Sequence, residues 1–476
     1  MRALLNRILR HGSAQALILL TVIGLVLTPP VVTGYVGLRQ AQAAYLALDD
    51  LHATNMYERA AILLPWRPDL WDQAGITRFR TKNYEDAIRL LEIAKQHNAL
   101  SDVGWDVLGI SYFQTGNFDT AAEAWESGLK AFPAYTKYYS HLIYVYHERG
   151  NTPAEKDALE RWVQSEGATD AAAHYRLGQL LSISDQERAL QEFLLASSLD
   201  PEYDSAVETM RTALNLASLE IDESSKLVFI GRGSGLVNEW TLAMEAYRQA
   251  VAADGENAEA WAWLGEAEQQ LGRDGRVELD KALSLDYRNP IVHSLSGLYW
   301  MRQGQSGIAL SEYKLAALYD PDNPAWRISV GDAYAQSGDL QAALESYYQA
   351  TEIDPTDATT WRLLAAFSAR YNMQVEDVGL PAARTAVELT GEDPLALDIL
   401  GWTLALLERY DEAQDALEHA LSLDPELAQG HLHLGIVSMQ TDDWGTARDH
   451  LLQARDLDPN SPVGAQARQL LNQYFP

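Results

Sequence analysis

Residues 104–133 read GWDVLGISYFQTGNFDTAAEAWESGLKAFP, and this stretch decides the fold. It contains two helix-sized segments on either side of QTGN, and a proline closes it. Glycine and polar residues between two periodic segments mark a turn. The small residues Gly109, Ala121 and Gly128 are set among bulky ones such as Trp105 and Trp125. A binding site would show this pattern once, whereas a structural unit would repeat it.

The pattern repeats along the chain. Asp-Pro pairs close successive segments at positions 200–201, 320–321, 354–355, 424–425 and 458–459. Pro321 and Pro355 are 34 residues apart, and so are Pro425 and Pro459. A period of 34 residues with two helices per unit is typical of tetratricopeptide repeats. The sequence resembles this superfamily over most of its length.

Alignment on this period brings glycines into one column. With Gly109 as the eighth residue of its repeat, nine of eleven eighth positions are glycine. The eleven residues are Gly75, Gly109, Ile143, Gly178, Gly231, Gly265, Gly297, Gly331, Ala365, Gly401 and Gly435. Positions 20 and 27 are also mostly small. Because glycine inside a helix costs ~1 kcal/mol relative to alanine, the recurrence predicts close packing between the two helices of each hairpin.

The predicted fold is all-α. We expect an α-solenoid of about eleven helical hairpins, since one hairpin cannot bury its own apolar face and neighbours must stack. The resemblance implies a right-handed superhelix. Repeats 1–4 are predicted over 68–201, an additional helix over 202–223, repeats 5–11 over 224–461 and a capping helix over 462–476. Residues 39–67 are predicted to form a linking helix and a partial repeat.

A transmembrane helix is predicted to precede the repeats. Residues 14–38 contain no charged side chain and would extend ~37 Å as a helix, against a hydrocarbon core of ~30 Å. Three arginines lie before this run. The positive-inside rule therefore predicts a cytoplasmic segment 1–13, a signal anchor and extracytoplasmic repeats on a bacterial cytoplasmic membrane. A cleaved signal peptide ending at Ala41-Gln42-Ala43 is the alternative, although its usual apolar region is only ~7–15 residues.

Composition limits the possible partners. The chain has a net charge of -31 and no cysteine. Residues 41–476 carry 32 basic against 67 acidic residues, and nucleic acid binding needs a basic surface. The charge therefore argues against nucleic acid, and we expect no nucleic acid partner. The missing cysteines exclude disulfides, thiolate metal sites and cysteine nucleophiles. The acidic surface indicates either solubility or a basic partner.

Candidate catalytic motifs do not have the required spacing. Residues 229–240, FIGRGSGLVNEW, contain three glycines but match neither the dinucleotide fingerprint nor the phosphate loop. His431 and His433 would point to different faces of a helix, so no metal pair is predicted. The repeats also leave no room for an enzyme domain. We therefore expect no catalytic residue, no cofactor and no metal.

The resemblance implies a binding groove. In tetratricopeptide repeat proteins the first helix of each hairpin lines a concave face, mainly through positions 2, 5, 9, 12 and 13. The predicted groove residues are Ile76, Phe79, Ile110, Phe113, Gln114, Tyr144, His147, Leu298, Met301, Trp402, Ile436 and Met439. The lysine and asparagine of the carboxylate-clamp type are absent from the corresponding places. An apolar or helical segment of a protein partner fits such a groove better than a terminal carboxylate.

Two functions remain open from the sequence. The first is a membrane-anchored extracytoplasmic scaffold that binds protein partners through its groove and assembles a complex. The second is an accessory subunit of an envelope machine that assembles glycan or lipid. A glycosyltransferase fused to such repeats would require a further domain, which this sequence does not show.

Overall fold

The computed structural model describes residues 24 and 28–475, and all regular elements in this part of the chain are helices. No strand occurs among these residues, so the all-α prediction is confirmed. The chain divides into two compact units, with the division after Leu214. Each unit is a stack of helical hairpins in which consecutive helices pack together.

Ten α-helices lie within the first unit among the described residues. Its helices are α1 (helical residues 28–46), α2 (Asp50–Leu63), α3 (Asp69–Arg80), α4 (Tyr84–Gln96), α5 (Asp102–Gln114), α6 (Phe118–Ala131), α7 (Lys137–Glu148), α8 (Thr152–Val163), α9 (Ala171–Leu181) and α10 (Gln186–Leu199). The helix α11 (Asp204–Leu219) contains the division between the units. Hairpins α3–α4, α5–α6, α7–α8 and α9–α10 follow the predicted register.

The second unit continues the alternation. Its helices are α12 (Glu223–Leu236), α13 (Trp240–Ala253), α14 (Ala258–Gln270), α15 (Arg276–Leu285), α16 (Pro290–Arg302), α17 (Ser306–Tyr319), α18 (Pro324–Ser337), α19 (Leu340–Ile353), α20 (Ala358–Tyr371), α21 (Leu380–Thr390), α22 (Pro394–Leu406), α23 (Tyr410–Leu423), α24 (Ala428–Gln440), α25 (Trp444–Leu457) and α26 (Pro462–Tyr474). Seven hairpins run from α12 to α25, and α26 packs on α25 at the end of the stack.

The turn inside a hairpin has a simple chemical basis. Gly116 adopts a left-handed conformation with φ of 80°, which glycine reaches without steric cost. Asn117 then precedes α6. In the preceding repeat Lys82 takes the same left-handed conformation, and the Asn83 side chain accepts a hydrogen bond from the Asp86 backbone N–H at 3.1 Å. The QTGN stretch is therefore a turn followed by a helix start.

The eighth-position glycines lie beneath bulky side chains of the second helix. A Cβ added at Gly109 would be 2.3 Å from the Trp125 ring, and one at Gly231 would be 2.4 Å from the Tyr247 ring. The close packing predicted from the glycine column is therefore a contact between glycine and a bulky side chain. In most repeats a large side chain near position 24 fills the space, and in repeat 6 the two backbones meet directly. There a Cβ on Gly265 would be 2.8 Å from the Gly275 carbonyl oxygen.

Aromatic residues at position 4 stabilise the junction between repeats. The indole N–H groups of Trp261 and Trp361 each donate to a carbonyl oxygen six residues earlier, at 2.9 Å. His293 and His431 place Nε2 at 2.6 and 3.0 Å from the equivalent carbonyl oxygens. His431 thus has a structural place on a different face from His433, which hydrogen-bonds Asp398.

Irregular repeats show how the stack absorbs length changes. The second helix of repeat 6, α15, has 10 residues whereas α13 has 14. Repeat 9 spans residues 358–393 and is two residues longer than the 34-residue period. A π-helical turn over Val375–Gly379 accommodates the extra length. Left-handed conformations at Asn372 and Gln374 lead into this turn. The 34-residue register therefore resumes at α22.

A further hairpin, formed by α1 and α2, precedes the repeats in the described part of the chain. Helix α1 packs against α2, and Leu38, Ala41, Tyr57 and Ala60 share one buried cluster. Within residues 24 and 28–475, no helix has both the length and the apolarity needed to cross a membrane. The predicted span 14–38 falls partly outside this range, because residues 14–23 and 25–27 are not among the described residues.

Candidate functional site

All twelve predicted groove residues lie on the first helices of hairpins. These helices are α3, α5, α7, α16, α22 and α24, and neighbouring first helices contact one another, as α3 does with α5 and α22 with α24. None of the twelve side chains is fully buried. They are therefore available in part to a ligand, in contrast to the fully buried alanines at position 20.

Four predicted residues come together in the first unit. Ile110, Phe113, Gln114 and Tyr144 line a pocket of about 190 Å³, which Trp125 and His141 complete. We call this the aromatic pocket. Tyr144 is 53% exposed, and the centroids of the Phe113 and Tyr144 rings are 5.8 Å apart. The volume is below the ~300–1,000 Å³ of small-molecule sites, so it suits one inserted side chain.

The wall of the aromatic pocket is held by an ionisable pair. His141 stacks on Trp125 with ring centroids 4.9 Å apart, and its Nε2 is 3.1 Å from Asp106 Oδ1. The Tyr135 hydroxyl donates to Asp106 Oδ2 at 3.1 Å. Burial and the nearby Asp106 carboxylate raise the pKa of Tyr135 to about 12. The Asp106 carboxylate therefore contacts both His141 and Tyr135 in the wall of the pocket.

The remaining first-unit residues flank this pocket. Ile76 and Phe79 pack at the edge of the preceding apolar cluster, where Phe79 contacts Tyr84 with ring centroids 5.7 Å apart. His147 lies in a polar network: its Nδ1 is 3.3 Å from Glu155 Oε1 and 3.0 Å from Arg176 Nη2. Neither group lines the aromatic pocket.

The second-unit residues form two separate groups. Leu298 and Met301 lie on α16, and Met301 borders an apolar cluster of repeats 7 and 8. Trp402 stacks on His433 with centroids 4.5 Å apart and 9° between the ring planes. On the following repeat, Ile436 and Met439 flank the last apolar cluster. These groups lie in different repeats, the first in repeat 7 and the second in repeats 10 and 11.

A recurring acid–histidine pair was not predicted from the sequence. Asp106 and His141 are 35 residues apart, and so are Asp398 and His433. In the second pair the Asp398 and His433 side chains are 2.8 Å apart and both are buried. Each pair joins position 5 of one repeat to position 6 of the next. The shared spacing was visible in the sequence and could have identified both.

A larger pocket in the second unit was also missed. It has a volume of about 610 Å³ and lies at the start of the first helices of repeats 5 to 7. Its lining includes Val228, Phe229, Arg232 and six carboxylates: Glu220, Asp222, Asp254, Glu256, Glu259 and Asp286. The Arg232 guanidinium lies over the Phe229 and Trp263 rings at 5.4 and 5.3 Å from their centroids. The excess of carboxylates gives this pocket a field that attracts cations.

Family profiles match the chain in several repeats. A profile described as "TPR repeat" matches residues 331–367, and one described as "Tetratricopeptide repeat" matches 394–427. Another profile with the latter description matches 107–171 and 237–276. The tetratricopeptide repeats that the sequence pattern predicted are thereby confirmed.

Similar proteins share these repeats at low identity. Human protein O-mannosyl-transferase TMTC1 is 24% identical over 206 residues, covering 42% of this chain and 23% of that protein. The peroxisomal targeting signal receptor of Kluyveromyces lactis is 26% identical over 247 residues, covering 50% and 42%. The chain thus spans less than half the length of either relative. The crystal structure of yeast Tom70 aligns with a TM-score of 0.41 at 17% identity, covering 86% of this chain and 96% of that chain.

Proposed function

We propose that this protein is a membrane-anchored scaffold that binds a protein partner through the first helices of its repeats. The tetratricopeptide fold is suited to protein–protein interaction, and the aromatic pocket supplies a specific place for it. Its partner would present an apolar or helical segment, with one large side chain inserted beside Tyr144. In this proposal the protein binds and assembles other proteins and does not catalyse a reaction.

One observation carries this proposal. Phe113 and Tyr144 remain partly exposed at a recess that their own helices do not fill. Aromatic side chains bury ~150–250 Å² when covered, and such residues at the centre of an interface often dominate its binding energy. In the wall behind them, His141 Nε2 lies 3.1 Å from Asp106 Oδ1 and the His141 ring stacks on Trp125. A recess whose lining side chains already contact one another loses less entropy when a ligand enters.

Affinity capture from membranes tests the proposal. Full-length wild type is compared with Tyr144→Ser and with Tyr348→Ser, a matched control that removes a 42% exposed tyrosine from the second helix of repeat 8. We expect one set of proteins to be lost with Tyr144→Ser and retained with Tyr348→Ser. Equal recovery from all three chains would contradict a role for the aromatic pocket.

The membrane location is part of the proposal. The uncharged run 14–38 and the arginines before it support an anchor with the N-terminus inside and the repeats outside a bacterial cytoplasmic membrane. Leu20→Arg with Leu25→Arg adds two charges to the run, each costing ~2.5–3.5 kcal/mol at a helix centre. The double variant should lose membrane association. Cleavage after Ala43 would instead show that the run is a signal peptide.

A second candidate function is an accessory subunit of an envelope glycan or lipid machine. The aromatic pocket favours it because Tyr144 lies beside the polar Gln114 and His141 side chains, a combination that also suits a sugar ring. A glycan array probed with the full-length protein separates the two functions. Glycan binding that is lost in Tyr144→Ser would favour this second candidate.

A further inference from the structure

The hairpin of α1 and α2 exposes several large apolar side chains at one end. Val32, Tyr35, Val36, Ile62 and Trp66 are between 45% and 63% exposed. We call these five residues the end patch. Single exposed apolar residues are ordinary on protein surfaces, but a concentration of them marks an interaction site. The other end of the hairpin also exposes Leu46, Leu48 and Leu51, so the end patch is distinguished by its place in and beside the uncharged run and not by exposure alone.

The two helices are antiparallel, which places the patch residues together. A Cβ on Gly34 would be 2.8 Å from the Leu64 side chain, and Gly37 lies near Ala60. The C-terminal end of α2 therefore lies beside the first turns of α1. Ile62 and Trp66 are at the same end as Val32 and Val36. Leu48, which is 71% exposed, lies in the turn at the opposite end.

At this end of the hairpin, the α1 residues belong to the uncharged run 14–38. A helix over 14–38 would exceed the ~30 Å hydrocarbon core by ~7 Å. The excess corresponds to about five residues, so residues 34–38 would lie at the outer boundary of the bilayer with Val32 just inside it, and the end of α2 lies beside them. Leu48 is twelve residues beyond Val36, or about 18 Å along a helix axis. It would therefore lie outside the headgroup layer.

Charge distinguishes this hairpin from the rest of the protein. Residues 28–67 contain three arginines and three acidic residues, whereas residues 68–476 contain 30 basic and 64 acidic residues. A strongly acidic surface is repelled by anionic headgroups, and the N-terminal hairpin lacks that excess. Tryptophan and tyrosine are enriched at the membrane–water interface. The patch contains one of each.

We propose that the end patch lies in the interfacial layer of the lipid bilayer, with the α1–α2 hairpin standing end-on. The proposal rests on the membrane anchor of the proposed function. Ile62 and Trp66 would enter the headgroup–acyl boundary next to the emerging helix. The repeats would then be held close to the membrane by two neighbouring helices instead of one.

Site-directed labelling tests this placement. The chain has no cysteine, so Ile62→Cys and Leu48→Cys each give a single labelling site and leave Trp66 in place. Each full-length variant carries an environment-sensitive fluorophore in phosphatidylcholine nanodiscs, where both faces are open to solvent. Quenching is measured with aqueous iodide and with a lipid spin-labelled near its headgroup. Co-elution with the discs reports the anchor separately.

The expected result is opposite behaviour of the two labels. The label at 62 should lose most of its iodide quenching and be quenched by the spin-labelled lipid, while the label at 48 should be quenched by iodide only. Equal iodide quenching at both sites, with co-elution intact, would overturn the end patch but leave the anchor. Protection at 62 without lipid quenching would assign the patch to a second copy of the chain. Failure to co-elute would refute the anchor and the patch together.

Discussion

At the scale of single residues, the eighth-position glycines differ in the room that they leave. A Cβ on Gly109 would be 2.3 Å from the Trp125 ring, whose N–H donates to the Asp106 carbonyl oxygen at 3.3 Å. A Cβ on Gly331 would be 3.1 Å from the Tyr347 ring. The first distance requires the tryptophan to move, while the second needs a shift of only a few tenths of an ångström.

Alanine at these two positions should therefore have different effects. Gly109→Ala should lower the free energy of unfolding by ~1–3 kcal/mol through overpacking. Gly331→Ala should stay within about 1 kcal/mol of wild type, because the helix propensity of alanine offsets the tighter contact. Gly331→Leu should be strongly destabilising. Chemical denaturation measures all three, and a stable Gly331→Leu would refute the register in repeat 8.

Asp72 provides a second prediction at this scale. Its carboxylate is 2% exposed and accepts hydrogen bonds from the Ser101 backbone N–H and hydroxyl. Burial, which outweighs these bonds, raises its pKa from 3.8 to about 6. Between pH 4 and pH 6 the folded state therefore binds more protons at this site than the unfolded state, so this contribution to stability falls as pH rises.

Asp72→Asn should remove that contribution. The free energy of unfolding of the variant, relative to wild type, should rise from pH 4 to pH 6 and stay higher at pH 7. The gain could reach about 2 kcal/mol, since each pKa unit corresponds to about 1.4 kcal/mol. Denaturation curves at pH 4, 5, 6 and 7 measure the difference. A constant difference across this range would mean that Asp72 titrates normally.

At the scale of helices, repeats 3 and 4 are joined by a buried ion pair. Glu155 occupies position 20, where most repeats have alanine, and it is 1% exposed. Arg176 on α9 holds it with Nε and Nη2 at 2.6 and 3.2 Å from the two carboxylate oxygens. Removing one partner of such a pair leaves an uncompensated buried charge, which costs ~3–5 kcal/mol.

Arg176→Met should accordingly destabilise the first unit by ~3–5 kcal/mol. The double variant Glu155→Ala with Arg176→Met restores the alanine of the other repeats and should recover most of that loss. A double-mutant cycle by chemical denaturation gives the coupling energy. If Arg176→Met alone costs less than about 1 kcal/mol, His147, whose Nδ1 is 3.3 Å from Glu155 Oε1, or solvent must compensate the Glu155 charge.

The sequence predicted the hairpins better than the contacts between them. The 34-residue spacing, the Asp-Pro pairs and the glycine column locate the helices because they reflect local turns and close packing. The π-helical turn at Val375–Gly379 was visible only as two extra residues, since the sequence does not say how a helix absorbs them. The Glu155–Arg176 pair was not predicted. Position 20 usually holds a small residue, so Glu155 looked like an exception and not like one half of an ion pair.

At the scale of the whole molecule, the sequence identified the candidate residues but did not show how they group. Four of the twelve share one pocket, two flank it on α3, and His147 belongs to a polar network. Position in a repeat predicts which helix carries a residue, whereas grouping depends on side-chain direction and on neighbours such as Trp125 and His141. The larger pocket of repeats 5 to 7, which six carboxylates line, was not predicted because loop residues form much of its lining.

Photo-crosslinking in living cells tests most directly whether a protein partner occupies the aromatic pocket. Benzoyl-phenylalanine replaces Tyr144 in one full-length chain and Tyr348 in a control, and illumination joins each to whatever lies within contact distance. We expect a discrete protein adduct from position 144 that is absent from position 348 and disappears when Phe113→Ser is added. No adduct at 144, or the same adducts from both positions, would contradict it.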